Sequence, residues 1–218
     1  MPEFDQPLVS VDVVPVRYDH AGATVEVLLG RRIYEPHLGE FALPGVLLGH
    51  ERIDEAAVRA LRTKLGVENG EVRLLGGVEV FDNPDRDPRG PTLSIARYAV
   101  VADDYRPQPE LHAAVALPAV DALPFDHGRI VTRAAEVLAK DLWADRAVAA
   151  ALLGTRFATS DLREVYTQLL TRAHGDHAPR VDPANLLRRL RGTGWVHQVA
   201  TAETGRGGRP PTVWEWND

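Results

Sequence analysis

Six arginines stand close together near the end of the sequence: Arg180, Arg188, Arg189, Arg191, Arg206 and Arg209. Only Asp182 and Glu203 oppose them over residues 180–209, a local balance of +4. Guanidinium groups fork onto phosphate oxygens and onto guanine, and Asn185, in their midst, is a side chain suited to adenine. That chemistry is nucleic-acid recognition, and the whole-chain charge of −6 conceals it. Residues 1–142 carry 15 Lys+Arg and 23 Asp+Glu, a balance of −8, whereas residues 143–218 carry 10 and 8, a balance of +2. The chain is thus an acidic body with an arginine-bearing tail. With no cysteine in its 218 residues, disulfides, cysteine-ligated metals and thiolate chemistry are excluded. The hydrophobic share, 44%, excludes global disorder. No apolar run approaches the ~20 residues of a membrane span. The start, MPEFDQPLVS, lacks a basic-then-apolar signal. A cytoplasmic protein with no membrane partner is expected.

The elements that must position these residues follow from periodicity. Leu8–Val16 alternates and is valine-rich, Asp19-His20-Ala21-Gly22 is a turn, and Thr24–Gly30 is a second strand, which together predict a hairpin. After a loop with Pro36, Gly39 and Pro44, residues 54–65 read as a helix with Ala57, Val58, Leu61 and Leu65 on one face and Gly66 at its end. Val72–Phe81 and Thr92–Val101 are strands separated by the polar Asp82–Pro91, extended chain recurs around His112–Ala119, and Gly128–Leu142 is an amphipathic helix. Beyond Trp143 the pattern changes to a helix-prone Ala147–Leu153 and a helix over 160–172, capped by Ser160 or by Asp161 with Glu164. A further helix opens on Asp182-Pro183 and stops at Gly192 and Gly194. Trp195–Ala200 and Thr212–Trp216 alternate as two strands around a tip at Thr204–Pro210. Three helices and a two-stranded hairpin predict a winged helix-turn-helix over 143–218, after a mixed domain over 1–142.

Within that first domain, Gly45, Glu51, Arg59, Leu61, Gly66 and Val67 share a spacing. This spacing resembles the Nudix box, Gly-x5-Glu-x7-Arg-Glu-apolar-x-Glu-Glu-x-Gly-apolar. Arg32, Pro36, Gly39, Phe41, Ala42, Leu43 and Pro44 are similar to the usual lead-in. The resemblance implies an α+β chain: a Nudix-like αβα sandwich followed by the winged helix-turn-helix. In active members, glutamates that follow the box arginine hold magnesium and help position the attacking water; here those places are Ala60, Thr63 and Lys64. Magnesium needs carboxylate or similar oxygen ligands, so no catalytic and no metal-ligating residues are expected. Glu51 alone reads as a helix-start carboxylate or a remaining metal ligand.

The segment Pro84-Asp85-Arg86-Asp87-Pro88-Arg89-Gly90 is similar to a loop of the Nudix-related regulators of bacterial NAD metabolism, the NrtR family. Phe125-Asp126-His127, Asn185-Leu186-Leu187-Arg188-Arg189 and Gly208-Arg209-Pro210-Pro211-Thr212-Val213-Trp214 also resemble segments of that family. A ligand pocket can outlive its metal. Arg32, Arg59, Arg86 and Arg89 are candidates to pair with diphosphate oxygens, with Glu51 and Asp87 beside them. Phe41 or Phe81 is a candidate to stack on a base. Alternatively Arg59 braces the loop through Glu51, and Phe81 is core. The candidate DNA-binding residues are Ser160, Arg180, Asn185, Arg188, Arg189, Arg206 and Arg209. The resemblance implies a repressor of NAD-biosynthesis or salvage genes. It would respond to ADP-ribose or a related nucleotide and bind a palindromic double-stranded operator as a homodimer. Two other readings stay open: an active Nudix pyrophosphatase with an atypical metal site, and a sugar-responsive regulator of the same architecture.

Overall fold

The computed structural model describes residues 6–120, 122–199 and 212–217. Strand β1 (Leu8–Asp19) turns at Asp19, whose carboxylate accepts the Ala21 and Gly22 N–H groups, and β2 (Thr24–Arg31) returns beside it. The short strands β3 (Phe41–Ala42) and β4 (Gly45–Leu47) precede helix α1 (Ile53–Leu65). Strands β5 (Val72–Phe81), β6 (Thr92–Val101) and β7 (His112–Ala116) complete a seven-stranded sheet. Its path runs β3-β2-β1-β6-β5, with β4 on β1 and β7 on β2. The pairing of β1 with β6 is parallel, whereas β4 on β1, β3 and β7 on β2, and β5 on β6 pair antiparallel, so the sheet is mixed.

Side chains alternate across a strand, which assigns the two faces of β1. Val11 and Val13 face one core, packed with Leu28, Ala99 and the buried stripe Ala56, Ala57, Ala60, Leu61 and Leu65 of α1. Asp12, on the opposite face, meets His127 at the start of helix α2 (His127–Asp141). Ile130, Val131 and Ala134 of α2 are fully buried. Helix, sheet and helix therefore stack as three layers. Gly66 ends α1 with φ +68, a left-handed conformation that glycine adopts without strain, and its N–H returns to the Arg62 carbonyl at 3.0 Å.

The second half holds α3 (Arg146–Leu153), β8 (Arg156–Ala158), α4 (Thr159–His174), α5 (Pro183–Gly192), β9 (Val196–Val199) and β10 (Val213–Trp216). Two details differ from expectation. The wing is a three-stranded sheet in the order β8-β10-β9, because Arg156–Ala158 pairs antiparallel with β10. Neither Ser160 nor an Asp161–Glu164 box caps α4. The helix begins at Thr159, and Asp161 reaches back to accept the Ala158 N–H at 2.8 Å. Asp182 caps α5 as expected, accepting the Asn185 N–H at 2.7 Å ahead of Pro183.

By compactness the chain divides into two units. One comprises residues up to Arg17 and Glu26–Ala134; the other comprises Tyr18–Val25 and residues from Ala135 onward. The division falls within α2 at 134/135, eight residues before the change in charge pattern at 142/143. The tip of the β1–β2 hairpin belongs with the helices that follow. Gln168 of α4 clasps it, accepting the Val25 N–H at 2.9 Å and donating to the Ala23 carbonyl at 2.8 Å. The Tyr18 hydroxyl donates to Asp161 at 3.3 Å. Burial and then the Asp161 charge push the Tyr18 pKa well above its usual range. Among the described residues, no helix is long and apolar enough to cross a membrane.

Candidate functional site

A cavity of about 600 Å³ opens in the first unit, between the ends of β1 and β2, the β3–β4 segment, the last turn of α1 and the loops before β6 and α2. Its lining includes Arg32, Arg86, Asp87 and Arg89 of the expected ligand set, together with Thr63 and Lys64. Glu51, Arg59, Phe41 and Phe81 are not among the lining residues.

The centre of this region is a buried charge network. Arg86 comes from the turn after β5, where its N–H bonds the Asn83 carbonyl at 3.1 Å. Its guanidinium donates to Asp126 at 2.7 Å and to Asp12 at 3.1 Å, with the Ser10 hydroxyl at 3.4 Å. The Arg86 side chain is only 3% exposed and its two carboxylate partners 8% each. Burial opposes the Arg86 charge. The hydrogen bonds and charges of Asp126 and Asp12 outweigh it, so the pKa is raised. Asp12 also accepts from the hydroxyls of Ser94 (2.6 Å) and Ser10 (3.1 Å). Gly45 makes room for this carboxylate: a Cβ there would lie 2.1 Å from Asp12 Oδ1. The first glycine of the matched spacing is thus fixed by close approach rather than by backbone conformation. Sequence reasoning missed Asp12. The available signal was an acidic residue in the middle of a strand otherwise rich in buried valine.

His127 lies beneath the cavity. Its Nδ1 accepts the Leu43 N–H at 3.1 Å, which leaves Nε2 as the protonated nitrogen, 4.0 Å from Asp12 Oδ1. Burial depresses the His127 pKa, as it does that of His112 in the same lining. A histidine held neutral in the fold binds its proton less readily than in the unfolded chain. Its contribution to stability is therefore intact above the unfolded value of about 6.5 and is lost as pH falls through the lower folded value. His127→Gln keeps an acceptor for Leu43 without the titration. It should flatten the fall of stability with pH below about 6.5, by up to about 1.4 kcal/mol per pH unit, in denaturant titrations at several pH values. Identical slopes for variant and parent would refute the assignment.

The remaining expected residues fall elsewhere. Arg59 grips Glu51 through three N–H···O contacts, and its Nη2 also donates to the Leu47 carbonyl at 2.8 Å. These hydrogen bonds lower the Glu51 pKa and raise that of Arg59. The pair braces the chain entering α1. Phe81 is buried, and the Phe41 ring lies under the Arg31 guanidinium at 4.7 Å. The positions at which the resemblance implies metal ligands offer none: Ala60 is buried, the Thr63 hydroxyl donates to the Arg59 carbonyl at 2.7 Å, and Lys64 is a cation. This donor set does not fit a divalent ion. Among the described residues, no three His, Asp or Glu side chains converge to hold one.

In the second unit, Leu186 and Leu190 bury one side of α5, and Asn185, Arg188 and Arg189 are exposed. Arg188 donates to the Asn185 side-chain oxygen at 2.6 Å, and the Arg189 guanidinium lies 4.3 Å from the Trp143 ring centroid. Ser160, at the start of α4, and Arg180, before α5, are exposed. Arg206 and Arg209 lie outside the described residues.

Known proteins match this arrangement. The NUDIX domain family model covers residues 6–140. The ADP-ribose pyrophosphatase of Methanocaldococcus jannaschii is 35% identical over 113 residues, 49% of this chain. The match spans 63% of that relative's length. Shewanella oneidensis NrtR complexed with a 27mer DNA superposes with a TM-score of 0.70 at 20% identity, covering 96% of this chain and 93% of that one, a likeness in fold along the chain. The NUDIX domain of the same NrtR complexed with ADP ribose gives a TM-score of 0.53 at 25% identity, covering 62% of this chain and 90% of that domain. With the family match spanning more than half of its length, the chain belongs to the Nudix family.

Proposed function

We propose that this chain is a DNA-binding transcriptional regulator in which a catalytically silent Nudix domain binds ADP-ribose or a related nucleotide. Residues 1–142 supply the sensing role and 143–218 the DNA-reading role. The protein acts in the cytoplasm as a homodimer on a palindromic operator, repressing genes of NAD biosynthesis or salvage until the nucleotide binds. One observation carries the reading. The cavity has Thr63 and Lys64 where the family places metal-holding carboxylates, in a chain that goes on to a winged-helix unit. The likeness to NrtR structures, one with DNA and one with ADP ribose, supports it. A ligand releases DNA only if it binds the DNA-incompetent arrangement more tightly. The test is the affinity for duplexes selected by the protein from a random pool, with and without saturating ADP-ribose. Weakened binding is expected, and unchanged affinity rejects the effector.

The exposed face of α5 gives a second test. Arg188→Ala should weaken DNA binding by about 1–3 kcal/mol and reduce the salt slope by about one, read from titrations at several salt concentrations. No change in either would remove α5 from the interface. The similarity to a pyrophosphatase favours the rival reading of an active hydrolase. Magnesium-dependent turnover of ADP-ribose, abolished in Glu51→Gln, would establish that rival.

A further inference from the structure

Three segments far apart in sequence bring their side chains together at one place in the cavity. Arg32 follows β2, Arg89 ends the turn before β6, and Phe125 precedes α2; all three line the cavity. The guanidinium carbon of Arg32 lies 4.8 Å from the Phe125 ring centroid and that of Arg89 5.9 Å. Phe125 has φ +59, a left-handed conformation that costs a non-glycine residue on the order of 1 kcal/mol and persists only where the surroundings impose it. The rings of His37 and His127 neighbour it at 5.1 and 5.2 Å. The ring is a fixed seat for two like charges. Burial, and then the Arg89 charge, lower the Arg32 pKa, with Asp87, Glu35 and Glu40 opposing the shift, whereas the hydrogen bond to Asp87 raises that of Arg89.

Neither guanidinium is saturated. Arg32 donates from Nε to the Pro36 carbonyl at 2.8 Å and from Nη2 to the Tyr34 carbonyl at 3.4 Å, both backbone acceptors. Arg89 donates from Nε and Nη2 to Asp87, at 3.0 and 2.7 Å. Each has further N–H groups in its five-donor fork. Arg86 differs, because Asp126, Asp12 and Ser10 occupy its N–H groups and it stays buried.

We infer that Arg32 and Arg89, seated on Phe125, form a clamp that takes a phosphoryl or diphosphoryl group directly, with no divalent ion between. Two adjacent guanidinium forks suit a diphosphate, whose charge relieves their mutual repulsion. Lys64 on the same lining adds positive charge where a divalent ion would need acidic oxygen. Arg32 and Arg89 cover the Phe125 ring, so this aromatic side chain supports the cations instead of stacking on a base.

The inference rests on the ligand-sensing reading but can fail separately from it. Isothermal titration of the full-length chain with inorganic pyrophosphate, and separately with ADP-ribose, would be run in EDTA and in magnesium. Parent, Arg32→Gln, Arg89→Gln and Phe125→Leu would be compared, with melting curves establishing that each is folded. Both ligands should bind in EDTA. Each Arg→Gln change should weaken pyrophosphate binding by about 10-fold or more, the scale of a charge-assisted hydrogen bond. Phe125→Leu should weaken it by about 2–5-fold, the scale of an exposed cation–π contact. Arg32→Lys, which keeps the charge and loses the fork, should fall between parent and Arg32→Gln. Pyrophosphate binding that needs magnesium, or that ignores both arginine changes, overturns the clamp. If ADP-ribose binds and is insensitive to both changes, the clamp fails and the effector reading stands. If pyrophosphate binds through the two arginines and ADP-ribose does not bind, the clamp stands and that effector is wrong. Binding of neither ligand overturns both.

Discussion

Arg86→Ala will destabilise the Nudix unit by about 3–5 kcal/mol, the cost of removing one partner from a buried ion pair. Arg86 neutralises Asp12 on β1 and Asp126 at the entrance to α2 at once. Without it two buried carboxylates face each other with hydroxyls and one neutral histidine as neighbours. Arg86→Lys should recover only part of the loss, since one ammonium cannot reproduce a fork that meets both acids. A triple change, Arg86→Met with Asp12→Asn and Asp126→Asn, removes the charges together. It should come closer to the parent than Arg86→Ala alone, because the fully neutral set leaves no uncompensated ion. Urea unfolding followed by circular dichroism reads all three. A loss below about 1 kcal/mol for Arg86→Ala would place the side chain in solvent-screened territory and contradict the burial described above.

Trp214→Ala is the second large effect. Trp214 sits mid-strand in β10, between β8 and β9, and is 3% exposed. Its indole N–H donates to the Thr159 hydroxyl at 2.8 Å, tying the wing to the first turn of α4, and Arg191 lies over the ring at 5.8 Å. Truncation should cost about 3–5 kcal/mol, as for other buried aromatic side chains. A lower melting transition is expected, and with it loss of the DNA binding proposed for this unit. Trp214→Phe keeps most of the volume and discards the hydrogen bond, so it should cost about 1–2 kcal/mol. A Trp214→Ala protein that melts like the parent would mean that the wing is not part of the unit's core.

The sequence made the long elements readable, because each carries its own periodicity. The strand at β1, the Ala57, Leu61 and Leu65 positions of α1 and the Asp182-Pro183 start of α5 all reappear in the fold, although β1 is buried on both faces and Ala56 and Ala60, not Val58, complete the buried side of α1. Elements of two or three residues were not readable. Strand β8 is Arg156-Phe157-Ala158, too short to alternate, and exists only because β10 supplies its partner. The Nudix spacing located the site's frame but not its contacts. In Asp85-Arg86-Asp87-Pro88-Arg89 the two arginines look alike, yet one is buried and the other exposed. The choice is made by Asp12 and Asp126, 74 and 40 residues distant, which local pattern cannot reveal. The same applies to Phe125: the Phe-Asp-His segment stood out, but Arg32 and Arg89 meet its ring only through tertiary structure.

The Gln168 clasp on the hairpin tip bears on how such a protein can be taken apart or recombined. Residues 18–25 lie early in the chain but pack as part of the C-terminal unit. That unit is therefore discontinuous, and no single cut separates two complete folding pieces. A fragment starting at 143 would leave Gln168 and Asp161 without the backbone groups and hydroxyl that they hold. Exchange of C-terminal units between related chains would succeed when the hairpin tip travels with the helices, and a graft joined only after α2 would inherit a mismatched seam.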